Sequence, residues 1–181
     1  DLCGVGRVFR HSRLSRRSPV LEPVLIGRRM SRNAPLSIDR PYESRRMWLG
    51  FHAGPMFYAA LQWKMHRALK ALRREGGVTA VWANDLDTLW PALKAARRFG
   101  WRLAYDSHEW FTEAEGLQGK PGRRAVWKWW ERRCFRGIDR MLTVNSAIAE
   151  AYKTGYGVSV DVVPNVPEMS GCAEPLSREF L

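Results

Sequence analysis

Arg102-Leu-Ala-Tyr-Asp-Ser-His-Glu109 is the stretch whose reading decides the fold. Leu103, Ala104 and Tyr105 suit the inside of a sheet, whereas Asp106, Ser107, His108 and Glu109 do not enter one cheaply. The stretch therefore reads as a β-strand over 102–105 that opens into a polar loop. Taken alone, a polar run after a strand is most often a solvated turn or a helix cap, because Asp and Ser favour both. In α/β proteins, however, the loops at the C-terminal ends of parallel strands are where ligands bind. The meaning of the tetrad depends on whether the rest of the chain builds a parallel sheet around it.

Upstream, Val78-Thr-Ala-Val-Trp-Ala83 is a nearly continuous apolar run of strand length, suited to a strand covered on both faces. Asn84-Asp-Leu-Asp-Thr88 is the polar loop after it. Leu89, Leu93 and Ala96 then start a helix, with Pro91 expected in its first turn, and Gly100 stops it. Before this unit, Phe57, Leu61, Met65, Leu69 and Leu72 mark one face of an amphipathic helix that ends at Gly76-Gly77. Downstream, a linker over Gly116–Gly122 precedes a helix at 123–136, with Trp127, Trp130, Cys134 and Ile138 near one face. A short strand at 141–144 follows. Asn145-Ser146 caps a further helix with Ile148, Ala151 and Tyr152 inward, ended by Gly155 and Gly157. The last strand is expected at 158–163. This β-α-β-α-β-α-β order implies right-handed crossovers. The expected fold class is α/β, a Rossmann-like parallel sheet with helices on both faces. If 78–83 and 102–105 are neighbours, they lie about 4.8 Å apart, and the clusters Asn84–Thr88 and Asp106–Glu109 share one crevice.

The N-terminal part is less periodic. Val20–Ile26 reads as an edge strand because of Pro23, and residues 27–46 as a long exposed connection. Gly4-Val-Gly6 resembles the start of a dinucleotide loop, but position 9 is Phe and no strand precedes it, so that reading is rejected. The expected division is a basic segment at 1–46, a domain at 47–167 and the start of a linker at 168–181. The 181 residues carry a net charge of +12. Residues 1–50 hold eleven Arg, no Lys and four acids. An anionic partner or a solvated basic surface both fit that balance. No apolar run reaches the roughly 20 residues of a membrane span. Cys3, Cys134 and Cys172 form no CxxC pair, so neither a zinc site nor a disulfide framework is expected, and a cytoplasmic setting is the default. The start at Asp1, without a signal-peptide pattern, suggests a fragment or a processed form.

His108 titrates near neutrality and could donate or accept a proton there, oriented by Asp106, Glu109 or, across the crevice, Asp85. A Ser-His-Asp hydrolase would need a G-x-S-x-G elbow, which is missing, and Ser107 points away from His108 if strand geometry persists. Asp85-Leu86-Asp87 is a D-x-D that could hold a divalent cation, but few further oxygen ligands are near, and an acid at a helix N-terminus explains Asp87 equally well. No metal site is expected. The basic helix 123–136 covers the sheet with Trp127 and Trp130, while Trp129, on its polar side, and Phe135 could enter a membrane interface. No nucleic-acid motif is present.

Val81-Trp-Ala-Asn-Asp-Leu-Asp-Thr-Leu89, Leu103-Ala-Tyr-Asp-Ser-His-Glu109, Ile138-Asp-Arg-Met-Leu-Thr-Val-Asn-Ser-Ala-Ile148 and Val162-Val-Pro-Asn-Val-Pro167 occur in that order. Together they resemble retaining GT-B glycosyltransferases of the family 4-like group, over roughly residues 47–167. The resemblance implies one domain of a two-domain architecture, the N-terminal, acceptor-side half. It implies that His108 contacts the transferred sugar or reaction centre, that Asn84 and Asp85 shape the acceptor site, that Glu109 belongs to the same motif, and that Asn165 leads into the hinge. The donor would be a nucleotide sugar, the acceptor a saccharide or lipid-linked molecule, with no cofactor and no essential metal. The first strand with its glycine-rich loop is unrecognisable, and the C-terminal domain that would bind the nucleotide is missing. The isolated chain is therefore expected to be inactive. A cytoplasmic location, peripheral on the inner membrane face, goes with this reading. The rival reading is a non-catalytic α/β module recruiting an anionic surface or partner.

Overall fold

The computed structural model describes residues 6–11, 21–33, 42–110 and 119–165. The elements run β1 (Gly6–His11), β2 (Leu21–Arg29), β3 (Glu43–Trp48), α1 (Gly54–Glu75), β4 (Val78–Asn84), α2 (Asp85–Phe99), β5 (Arg102–Ser107), α3 (Pro121–Phe135), β6 (Arg140–Thr143), α4 (Ser146–Tyr156) and β7 (Asp161–Val162). The strands form a sheet in the order 3-2-1-4-5-6-7. β4 to β7 are parallel neighbours, as are β2 and β3. β1 runs antiparallel to both β2 and β4. The architecture is α/β: a mostly parallel, Rossmann-like sheet flanked by helices.

Side chains alternate along each strand, and the register places Val81 beside Leu103 and Ala83 beside Tyr105. These four are buried, as are Met141 on β6 and Val8 on β1. The described helices close over this face. α1 contributes Leu61, Met65, Leu69 and Leu72, which the 3.6-residue period puts on one stripe. α2 adds Leu86, Leu89 and Leu93, α3 adds Cys134 and Phe135, and α4 adds Tyr152. Phe135 is therefore a core residue and not one that could enter a membrane interface, because it packs against Tyr105, Tyr152 and Tyr156. Each large apolar side chain so buried contributes roughly 1.5–3 kcal/mol. Trp82, Ala104 and Leu142 on the opposite face are half-buried. Gly100 ends α2 in the left-handed region, at φ 71°, where glycine carries no Cβ penalty. The Asn145 side chain caps α4 by accepting from Ile148 N at 2.9 Å, as the sequence predicts.

Several boundaries differ from the expectations, each for a physical reason. Val20–Ile26 is not at the edge: β2 lies between β3 and β1. Pro23 is tolerated because pairing with β3 starts only at Val24, so one side of the strand is unpaired at the proline. Residues 27–46 are not all connection, since β2 continues to Arg29 and β3 begins at Glu43. β1 escapes the sequence reading because its arginines obscure the alternation, although Val8 is fully buried. Gly155 lies within α4, and Gly157 is the cap. β7 is two residues long, because β6 offers only Leu142 and Thr143 to pair with it.

α2 starts at Asp85 rather than Leu89, which leaves Pro91 inside the helix and beyond its first turn. An internal proline removes the N–H that would reach the carbonyl four residues back, here Asp87 O. Gln62 of α1 supplies the missing donor, with Nε2 donating to Asp87 O at 2.8 Å.

Candidate functional site

β5 runs two residues further than its apolar content suggests, because tertiary partners take up its polar side chains. Ser107 points to the helix face, where it is buried. Its Oγ donates to Glu109 O at 2.8 Å and lies 2.9 Å from Tyr152 Oη. Thr143 Oγ1 donates to Ser107 O at 2.7 Å. Asp106 points to the other face, where its Oδ2 accepts from Trp82 Nε1 at 3.3 Å. The strand therefore delivers His108 and Glu109 from a position fixed on both sides.

Asn84 ends β4 directly opposite Asp106 in the parallel register. The two strand ends converge on His108. Its Nε2 lies 3.3 Å from Asp106 Oδ2 and 3.5 Å from Asn84 Nδ2. The carboxylate contact is the shorter and favours a proton on Nε2 donated to Asp106, which leaves the Asn84 amide nitrogen, itself a donor, beside the ring rather than bonded to it. The His108 side chain is still 42% exposed, so the imidazole is both oriented and accessible.

Asp85 makes the second link between the strand ends. Its carboxylate accepts the main-chain N–H of His108. Burial raises its pKa most, and the neighbouring charges of Glu109 and Asp106 add to this, while His108 and its N–H oppose it. Asp85 also has φ 60°, the left-handed region where L residues other than Asn and Asp are rare. This backbone turn takes the chain from β4 into α2 while keeping the carboxylate beside the His108 loop. Asp87, two residues on, is pushed up to about 7, chiefly by burial and secondly by Asp85. Its Oδ1 is shielded from solvent and has no hydrogen-bond partner.

Four of the five residues singled out by sequence thus belong to one edge. His108, Asn84 and Asp85 are in mutual contact. Glu109 is exposed beside them, tied by its main-chain oxygen to Ser107. Asn165 is not brought in: it is exposed beyond the end of β7, two strands from β5, or roughly 10 Å across the sheet. Sequence reasoning missed Trp82 as the second anchor of Asp106; the register, Trp82 beside Ala104 with Asp106 two residues on, was the available signal. It also missed the layer beneath. Glu131 of α3 is fully buried and accepts from Tyr152 Oη at 3.2 Å and from Tyr156 Oη. Through Tyr152 this carboxylate supports Ser107 and hence the loop that carries His108.

Among the described residues no group of three or more His, Cys, Asp or Glu is placed to hold a metal ion. Cys134 is buried, and burial pushes its thiol up to about 12, so it is held as an inert thiol. An open cavity of about 430 Å³ lined by Ile138, Asp139, Arg140 and Asp161 lies at the opposite end of β6, away from this chemistry.

A mostly parallel sheet with an oriented histidine and two acid-bearing loops at the C-terminal ends of adjacent strands has the architecture in which α/β domains bind ligands. The chain belongs to the glycosyl transferase 4-like domain family, whose profile matches residues 4–166. No curated protein matched the chain in sequence comparison. Membership implies a sugar donor and an acceptor as partners in general, and no described helix is long and apolar enough to cross a membrane.

Proposed function

We propose that this domain is the N-terminal, acceptor-side half of a retaining GT-B glycosyltransferase, with residues 168–181 leading toward an interdomain linker. The reaction is transfer of a hexosyl unit from a nucleotide sugar to a saccharide or lipid-linked acceptor, without an essential metal or cofactor. The observation that carries this reading is His108, held by Asp106 beside Asn84 at the strand edge while its imidazole stays accessible. In this role His108 hydrogen-bonds the transferred sugar at the reaction centre. Asn84, Asp85 and Glu109 line the acceptor side, and Asn165 belongs to the hinge. The basic groups that would stabilise the departing nucleotide belong to a second Rossmann-like domain facing this edge. The enzyme works in the cytoplasm, at the inner face of the membrane.

His108→Ala in the whole two-domain enzyme is expected to lower transfer by about a hundredfold or more, the scale of losing one transition-state hydrogen bond, with an unchanged circular dichroism spectrum. Near-normal rates would remove His108 from the reaction centre and leave the non-catalytic binding module as the better reading.

A further inference from the structure

We propose that Arg28, His52 and the first turn of α1 form an oxyanion site that takes the phosphate group of an acceptor. The observation that carries it is the state of Arg28. This residue stands one position before the end of β2, half-buried, and its guanidinium meets no carboxylate among the described residues. It touches the Phe51 carbonyl oxygen at 3.4 Å, His52 Nδ1 at 3.3 Å and the Phe57 ring, whose centroid lies 4.9 Å from the guanidinium carbon. Both polar contacts use Nη2. Nε is shielded from solvent and donates to nothing. Stacking on Phe57 occupies the face of the guanidinium and leaves its edge, where the N–H groups lie. A half-buried cation with idle donors and no counter-charge is an unbalanced arrangement.

The surroundings increase the imbalance. Phe51 and His52 lie just before α1, and Phe57 is the fourth residue of that helix, so the guanidinium stands at the helix N-terminus. That end carries a partial positive charge, which favours an anion and disfavours a cation. The helix supplies no anion of its own: Ala53 at the N-cap has no side-chain oxygen, and the first turn holds no acid. Pro55 has no N–H, which leaves the N–H groups of Gly54 and Met56 without an intrahelical acceptor. Arginine only donates, so His52 Nδ1 accepts and the ring proton stands on Nε2 as a further donor. A planar carboxylate would be satisfied by the guanidinium edge alone, whereas a tetrahedral phosphate uses the guanidinium, the imidazole and the main-chain N–H groups together. The site shares the sheet edge that carries His108. Gly6 of β1 pairs with both Ile26 and Ala83, so Arg28, two residues beyond Ile26, is level with Asp85. Only β1 separates β2 from β4, which sets the two strand ends roughly 10 Å apart.

Placing the phosphate on an acceptor rests on the acceptor-side reading above, whereas the test reads binding alone and needs no catalysis. The isotope-labelled 181-residue chain would be titrated by NMR with inorganic phosphate and with glycerol phosphate. Sodium chloride and sodium acetate at equal ionic strength serve as comparisons. Saturable shifts of the Gly54 and Met56 amides and of the Arg28 Nε–H are expected with both phosphates, and not with chloride or acetate. Arg28→Met should weaken phosphate binding about tenfold or more, the scale of one hydrogen bond to a charged group, and His52→Phe should weaken it less. If Arg28→Met lowers the thermal transition, Arg28→Lys keeps the charge and the stem and should still bind more weakly than the parent. No saturation, equal shifts with chloride or acetate, shifts centred elsewhere, or Arg28 variants that bind like the parent would overturn the proposal. So would saturation by inorganic phosphate but not by glycerol phosphate, since the site would then hold a free ion and not a phosphate ester.

Discussion

His108 gains its role from neighbours that are distant in sequence. Asp106 holds its ring, with Asn84 beside it, and Asp85 holds its main chain, so the imidazole has a restricted orientation at the sheet edge. The other residue with a measurable signature is Asp87. An acid in the first turn of a helix gains about 0.3–1 kcal/mol from the helix dipole when ionised. Burial opposes this and wins: its pKa moves from 3.8 to about 7. At about 1.4 kcal/mol per pH unit, the difference is worth at most about 4 kcal/mol. Because the folded-state value lies above the unfolded one, this contribution is fully present below about pH 4 and is lost as the pH rises through about 7. Asp87→Asn should therefore be more stable than the parent at pH 8, and its stability should change less between pH 4 and 7. Urea titrations across that range would show this, and parallel pH profiles for the two proteins would exclude it.

At the scale of elements, α2 depends on α1 for more than apolar packing. The carbonyl that Pro91 leaves without a helical partner is served by Gln62. Gln62→Leu should cost about 1 kcal/mol, the usual net worth of one hydrogen bond, and lower Tm by about 2–4 °C in a chain of this size. Pro91→Ala restores the N–H, so Gln62→Leu should cost measurably less in that background. A double-mutant cycle by thermal denaturation tests the coupling, and strictly additive effects would refute it. The contact also connects the helix under the acidic loop to the helix on which Arg28 stacks. In the same way, the Glu131, Tyr152 and Ser107 chain connects the Trp-rich α3 to the strand that ends at His108.

For the whole molecule, the proposed two-domain reading makes the site one wall of a cleft. In that reading His108, Asn84, Asp85 and Glu109 position the sugar, and the basic groups that neutralise the departing nucleotide belong to the second domain. The purified 181-residue chain is expected to show no sugar transfer from any nucleotide sugar offered with a saccharide acceptor. Turnover above the uncatalysed rate, abolished by His108→Ala, would show that this half suffices.

The sequence alone determined the β-α-β alternation from residue 78 onward, the inward stripes of α1 and α4, and the approach of Asn84 and Asp85 to His108. These are local periodicities of 2.0 and 3.6 residues, and a parallel crossover leaves little freedom in where strand ends meet. Only the tertiary structure decided the rest. β5 extends to Ser107 because Tyr152 and Trp82 take up polar groups that local propensity would put in a loop. β2 lies inside the sheet despite Pro23 because its partner begins one residue later. Asn165 lies apart from His108 because β6 runs between their strands. Each depends on a partner distant in the chain, and a hydrogen bond or strand neighbour supplied from that distance leaves no mark in the local sequence.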